Sequence, residues 1–280
     1  MRNLPYTEYV RRAPVPCRLF AGWVQLIRWR TNTDSSNPAS GSAAKIDAAR
    51  CDLSPSGERL IYFAVSYKQR SLDRGYTGTW TAISRPPYFT ALALWPLGDT
   101  WWGGGLFVDD TIVRLNHPEH QTQCHPDHLP PTSLRILVEP MVFWDCTVLS
   151  ERMDRDGWTL HSQAKRVYRG QTIAGEYPQR LEKPDPKARR SLFLLDLSDG
   201  ILNSRPFHYT VVYRKTGADI LSFEAEWADW DQQGQLAYAS QGKLWRATFA
   251  PRGRTIEMRA IADFNASRPD PQPSPEWAIR

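Results

Sequence analysis

Long hydrophobic runs are missing from this chain of 280 residues. No window approaches the roughly 18 uninterrupted apolar residues of a membrane span, and the densest apolar patches are broken by Arg or Pro. The start, Met1-Arg2-Asn3-Leu4-Pro5-Tyr6, has no apolar core of signal-peptide length behind its charge, so nothing in it directs export and a cytoplasmic location is expected. Cysteine is scarce. Cys17, Cys51, Cys124 and Cys146 lie far apart without a CxxC pair, which argues against a disulfide framework and fits buried thiols in a reducing compartment. Lysine is only 7 of the 35 basic residues, and no basic run exceeds two or three. The formal charge of +5 is thus spread along the chain, and no dedicated nucleic-acid surface is expected. The Arg excess, beside frequent Ala, Asp and Pro, resembles the coding bias of a GC-rich bacterial genome. GxSxG, HExxH, GxGxxG and a GKS or GKT phosphate loop do not occur, so the common hydrolase and nucleotide signatures are missing and no cofactor is expected.

What is present points to strands. Apolar residues make up 41% and charged residues 23%, enough to close a sizeable core. Aromatic residues reach 12% with 12 Trp, and these suit a pleated, half-buried surface. The 22 Pro and 17 Gly weigh against long helices, whose interiors tolerate neither.

Two segments resemble each other. Residues 51–64 run Cys-Asp-Leu-Ser-Pro-Ser-Gly-Glu-Arg-Leu-Ile-Tyr-Phe-Ala, and residues 228–239 run Ala-Asp-Trp-Asp-Gln-Gln-Gly-Gln-Leu-Ala-Tyr-Ala. Each predicts strand, tight polar turn and strand, with Asp52 matching Asp229 and Gly57 matching Gly234, the Gly supplying a positive φ. Gly98, 41 residues beyond Gly57, and the Asp154-Arg155-Asp156-Gly157 turn suggest further copies. Gly57 and Gly234 are 177 positions apart, about four units of the ~40–45 residues that make a propeller blade. The end of the chain carries the cleanest unit, with strands expected near 221–229, 235–240, 243–249 and 255–262. With these turns the chain resembles the broad WD40-like and TolB-like propeller families, whose turns often read Ser-Pro-Asp-Gly where this one has Ser54-Pro55-Ser56-Gly57. The Trp230-Asp231 dipeptide departs from the WD40 placement, because it stands in a turn rather than at the end of a third strand. The resemblance implies an all-β, β-propeller-like fold of about four to five blades of four antiparallel strands, one domain over 1–280 with its core at about 45–265. A strand at 17–28 would help close the ring. Residues 31–45 and 178–189 read as surface loops, and 266–280 as an extended Pro-rich tail that ends outside the core.

Four constellations could carry chemistry. His117, His120, Cys124, His125 and His128 gather four of the six histidines in one loop, with zinc-compatible donors but no standard finger spacing. Whether they bind metal the spacing leaves open; the competing reading is a solvated loop. Trp101-Trp102-Gly103-Gly104-Gly105 places two indoles before three glycines, which implies unusual dihedrals or close approach by a ligand or a neighbouring strand. Arg85 and Tyr88, on the Pro86-Pro87 turn, are of the types that dominate binding hot spots, whereas as packing at a blade junction they would need no partner. Among carboxylates, Asp52, Asp109, Asp110, Asp229 and Glu226 are candidates for a glycosidase-like centre, but Asp52 and Asp229 occupy turn-forming repeat positions. The leading expectation is a non-enzymatic scaffold or recognition module of a bacterial cytoplasm that holds another protein, with Arg85, Tyr88, Trp101 and Trp102 as contact residues. The alternatives are a carbohydrate-acting or other small-molecule enzyme with its site at the propeller centre, and a metal-binding module on the 117–128 loop.

Overall fold

The computed structural model describes residues 6–12, 24–31, 33–42, 44–68, 72, 76–139, 147–163, 166–168, 171–173, 179–187, 189–196, 206–231, 233–250, 255–268 and 273–279. The chain divides into two compact units, one formed by 1–152 with 268–280 and the other by 153–267.

Among the described residues, unit 1 contains three sheets. β1 (Tyr6–Arg12), β2 (Val24–Arg30) and β3 (Ser35–Ser42) form an antiparallel sheet in that order. β4 (Lys45–Leu53), β5 (Leu60–Val65), β6 (Thr79–Ser84) and β7 (Ala91–Pro96) form a four-stranded antiparallel meander. β8 (Gly105–Phe107), β9 (Ile112–Leu115) and β10 (Arg135–Val138) form the third sheet, in which β9 and β10 run parallel. The β5 sequence Leu-Ile-Tyr-Phe-Ala-Val is apolar at every position because both faces of its sheet are covered. Leu60, Tyr62 and Ala64 pack with Val24 and Leu26 of β2 on one side. Ile61, with Ile83, Ala93 and Trp95, packs with Phe107, Val113 and Leu115 on the other. Side chains alternate between faces with period two, so a strand sandwiched between two sheets loses the polar half of the usual alternation. Helix α1 (Thr147–Arg155) follows.

Unit 2 contains β11 (Thr159–Gln163), the small hairpin β12 (Arg166–Tyr168) and β13 (Gln171–Ile173), then β14 (Gln179–Pro184), β15 (Arg190–Asp196), β16 (Phe207–Tyr213) and β17 (Ala218–Ala225). β11 joins the edge of the β14–β17 meander. A second meander follows: β18 (Trp227–Trp230), β19 (Leu236–Ser240), β20 (Lys243–Phe249) and β21 (Ile256–Asp263). A run of rings joins the two sheets, with Tyr209 5.6 Å from Phe223, Phe223 4.8 Å from Tyr238 and Tyr238 6.1 Å from Trp245. Such pairs add to the burial of the rings themselves. The chain ends in the short helix α2 (Glu276–Ile279), which belongs to unit 1. No helix among the described residues is long and apolar enough to cross a membrane.

The fold is thus all-β, built mainly from open antiparallel meanders, as the composition implies. The paired hairpins at 51–64 and 228–239 both form, and Gly57 and Gly234 have nearly equal φ of 74° and 75°. In each, the residue that opens the turn closes the hairpin: Ser54 N donates to Arg59 O at 2.8 Å, and Asp231 N donates to Gln235 O at 2.8 Å.

Several expectations are corrected. Residues 35–42 are strand β3 rather than loop, and 178–189 contains β14 and a tight turn into β15. That turn is another copy of the hairpin without its glycine. Asp185 N donates to Arg190 O at 2.9 Å, and the Asp185 carboxylate accepts from Arg189 N and Arg190 Nε, both at 2.8 Å. Gly157 ends a helix rather than turning a hairpin: Trp158 N donates to Met153 O and Gly157 N to Asp154 O, the paired bonds of a left-handed helix cap. Gly98 follows the last strand of its meander whereas Gly57 lies inside the first hairpin, so their 41-residue spacing is not a blade repeat. The first strand expected at 221–229 is split, 218–225 ending one sheet and 227–230 opening the next. Of the strand expected at 17–28, residues 24–28 lie in β2 and 17–23 lie outside the described residues.

Gly103, Gly104 and Gly105 lie where the chain leaves the β4–β7 meander for β8. A Cβ at Gly104 would stand 2.1 Å from the Arg50 carbonyl oxygen, and one at Gly105 would stand 2.2 Å from that of Arg114. Gly103 and Gly104 also have φ of 117° and 77°. Close approach by neighbouring chain, the structural one of the two readings, accounts for all three: backbone carbonyls crowd Gly104 and Gly105, and the Phe63 ring would stand 2.2 Å from a Cβ at Gly103. Gly98 (φ 99°) has nothing within 4 Å of its would-be Cβ, so Gly98→Ala should cost only the left-handed strain, about 1–2 kcal/mol. Gly104→Ala adds overpacking against immobile backbone and should cost roughly 3–5 kcal/mol in all. Chemical denaturation of the two variants checks the difference; equal losses would contradict the close approach.

Candidate functional site

One end of the β4–β7 meander displays aromatic side chains on a fixed loop. Tyr67 follows β5, Gly78 precedes β6, and residues 98–102 follow β7. The loop is held from within. Thr79 Oγ1 donates to the Asp99 carbonyl and accepts from Gly98 N at 3.0 Å; Thr79 itself is wholly buried. Asp99 Oδ1 accepts from Trp101 N at 2.9 Å and Trp102 N at 3.4 Å, a local carboxylate-to-backbone turn. Arg50 Nη1 reaches across from β4 and donates to the carbonyls of Thr100 and Trp102, each at 2.8 Å, while its guanidinium lies 4.8 Å from the Phe63 ring centroid. On this pinned backbone Trp101 is 73% exposed and Trp102 half-buried. Tyr67 is 66% exposed, and its ring lies over Gly78, where a Cβ would come within 2.3 Å of it. Tyr67 and Arg50 escape a sequence reading, because neither belongs to the Trp-Trp-Gly-Gly-Gly string they frame.

The Pro86-Pro87 turn is engaged by the chain's own end. Arg85 Nη1 donates to the Trp277 carbonyl, the Tyr88 and Trp277 rings meet edge to face at 5.6 Å, and the hydroxyls of Thr90 and Ser274 are hydrogen-bonded. The tail at 273–279 therefore docks on unit 1 rather than ending outside the core. Arg85 and Tyr88 are brought together with each other, and Trp101 with Trp102; the two pairs sit on different loops.

The His-rich loop lies along the β7 edge. His125 N donates to Leu94 O at 2.8 Å and Leu94 N to His128 O at 3.1 Å, which covers part of an edge strand. His117 is fully buried, with Nε2 2.8 Å from Thr81 Oγ1 and Nδ1 2.9 Å from the Gln121 carbonyl. His128 bonds Tyr76 Oη at 2.9 Å and the Ala91 carbonyl at 3.2 Å, and His125 stacks on Tyr76 with centroids 4.4 Å apart. His120 is exposed. Burial raises the Cys124 thiol to about 11 and that of Cys51 to about 12, so both are protonated at neutral pH. Among the described residues no three His, Cys, Asp or Glu side chains stand where they could share a metal ion.

The candidate carboxylates are largely committed to backbone. Asp52 Oδ2 accepts from Phe107 N at 2.8 Å, tying β4 to β8. Asp109 accepts from Thr111 N and Ile112 N, and Asp110 from Ser56 N at 2.9 Å. Burial acts upward on Asp110, yet the bonds from Ser56 and Ser54 and the nearby Arg59 charge hold its carboxyl below the ordinary value. Asp229 pairs with Lys183 Nζ at 2.6 Å; burial pushes its carboxyl up, against the pull of that ammonium. Two arginines that sequence reasoning missed perform equivalent tasks. Arg59 donates to the Asp110 carbonyl at 2.6 Å and Arg190 to the Gly234 carbonyl at 3.2 Å, each reaching from its own hairpin to the turn of the next within the same unit. An Arg at the start of the second strand is the signal both share.

Fold and surface together define an all-β protein of antiparallel meanders that displays a pinned aromatic loop. No family model and no curated protein matches the chain. Among solved structures it is similar to one titled "Oligogalacturonate lyase in complex with manganese", at 12% identity and a TM-score of 0.22, covering 85% of this chain and 61% of that one. The chain thus spans less than two thirds of that protein's length, and a likeness at this score carries no argument about fold or activity.

Burial holds His117 below its ordinary pKa, with the bond to the Gln121 carbonyl opposing the shift. A histidine neutral in the fold binds fewer protons than when unfolded, so its contribution is complete above the unfolded value of about 6.5 and declines as pH falls below it. Unit 1 should lose stability as pH falls below about 6.5, at up to about 1.4 kcal/mol per pH unit from this one group. His117→Gln should flatten that slope in denaturation curves taken across the range.

Proposed function

We propose that this chain is a non-enzymatic recognition module of a bacterial cytoplasm, its meanders forming the blades of a propeller-like ring of four to five, and that it holds another protein through the loop bearing Trp101 and Trp102. One observation carries the reading: an indole 73% exposed on a loop whose backbone is pinned by Arg50, Asp99 and Thr79. Tryptophan dominates interface hot spots, and a side chain presented on already ordered backbone binds without a further ordering cost. Tyr67 enlarges the aromatic area nearby, and Arg50 supplies a cation behind the loop. The commitment of Asp52, Asp109 and Asp110 to backbone amides favours this reading over a carbohydrate-acting centre, because general acid–base work needs carboxyl groups aimed at a substrate.

Trp101→Ala should leave thermal stability within about 0.5 kcal/mol of the parent, as for a surface change. It should weaken a partner's binding at least about tenfold, the size of a modest hot spot. The test captures partners on the parent protein in an extract of the native organism, purifies the one recovered and titrates it against both proteins. Equal affinity for parent and Trp101→Ala removes the loop from the interface.

A further inference from the structure

The surface made by Arg85, Tyr88 and Thr90 already holds a peptide, residues 273–279. Its contacts are those of peptide recognition. A guanidinium takes a main-chain carbonyl, a ring edge meets an indole, and one hydroxyl takes another. Ala278 beside the indole is wholly buried, and its N donates to the Pro275 carbonyl at 2.9 Å, which closes the helical turn that aims Trp277 at Tyr88. What the segment leaves in water is equally informative. Trp277 and Ile279 are each 50% exposed, so the two largest apolar side chains of the strap contribute only half their surface. A segment serving only to complete a core would bury them.

We propose that Arg85, Tyr88 and Thr90 form a binding site for a partner-protein segment carrying a hydroxyl residue, an aromatic three positions later and a small residue next, and that residues 273–279 occupy it as a tethered competitor. The proposal rests on the recognition reading above and adds the partner's chemistry and a means of control. The pattern is that of Ser274, Trp277 and Ala278. Thr90 selects the hydroxyl, Tyr88 the aromatic, and the buried Ala278 position excludes anything large. Arg85 reads a backbone oxygen, which any sequence offers, and so sets the depth of the segment rather than its identity. A tethered segment competes at an effective concentration on the order of millimolar, so partners that bury the whole aromatic displace it and weaker ones do not.

Trp277→Ala removes the ring contact in the full chain while leaving Arg85, Tyr88 and Thr90 intact. A fluorescein-labelled peptide, Pro-Ser-Pro-Glu-Trp-Ala-Ile, is titrated by anisotropy against the parent, Trp277→Ala, and Trp277→Ala combined with Tyr88→Ala. Saturable binding to Trp277→Ala, at least tenfold tighter than to the parent and reduced at least fivefold by Tyr88→Ala, is the expected result. A peptide with Ala in place of Trp should bind at least tenfold more weakly. Equal binding to parent and Trp277→Ala, or no saturable binding to a Trp277→Ala protein that melts like the parent, overturns the proposal. If Trp277→Ala does not fold, a chain ending at residue 268 takes its place; if neither folds, the strap is a structural part of unit 1 and the proposal is also overturned. The outcomes separate from those of the Trp101 loop. Loss of the partner in Trp101→Ala without peptide binding leaves the recognition reading standing and removes only the strap, and peptide binding with an unaffected partner does the reverse.

Discussion

The contact on which unit 1 depends most is the approach of backbone to backbone where residues 103–105 pass the Arg50 and Arg114 carbonyls. At that distance no side chain fits, and the positive φ of Gly103 and Gly104 lets the chain turn from one sheet into the next within three residues. The Asp52 carboxylate then accepts the Phe107 amide, and Gly103 N and Asn116 N exchange bonds with Asn116 O and Gly104 O. Because β8 is drawn so close, Phe107, Val113 and Leu115 cover the face of β5 that presents Ile61. The same seam carries the loop with Trp101, whose carbonyl neighbours Arg50 also holds. Core closure and aromatic display therefore share one arginine. Burial of the Ile61 face of the β4–β7 meander follows from the seam, while β2 covers the opposite face through Val24 and Leu26.

The second recurring device is the polar turn that opens with an oxygen-bearing side chain. Ser54, Asp185 and Asp231 each accept a backbone amide from their own turn and each donate their own N–H across it. An oxygen five or six residues ahead of a strand offers the chain a ready partner before the strand ladder exists. Arg59 then fastens the Ser54 turn to the Asp110 turn, and Arg190 the Asp185 turn to the Gly234 turn. Neighbouring sheets within a unit are thereby linked at their hairpins as well as through apolar packing.

These devices explain which parts of the fold were legible in the sequence. The β4–β5 and β18–β19 hairpins were, because a glycine at positive φ stands between apolar runs of strand length. The Asp185 turn was not, because a carboxylate does there what glycine does elsewhere, and Lys183-Pro184-Asp185-Pro186-Lys187 is composed like a loop. Strand β3, Ser-Ser-Asn-Pro-Ala-Ser-Gly-Ser, carries no apolar alternation at all; its place is set by pairing with β2, whose Leu26 and Trp29 are buried. For the site, residue type pointed to Trp101 and Arg85, but exposure is a tertiary property. Trp95 and Trp101 differ by six positions and lie at 1% and 73% exposure. The docking of Trp277 on Tyr88 joins residues 189 positions apart, and a Pro-rich tail gives no period from which such a contact could be read.

Connectivity also has a mechanical side. The chain builds unit 1, runs through residues 153–267, and returns to unit 1 at its last described segment. In connectivity, residues 153–267 are thus an insertion between two segments of one unit. Because the last described segment is fastened back on Arg85, Tyr88 and Thr90, the strap closes the connectivity of unit 1 on itself, in the manner of a clasp.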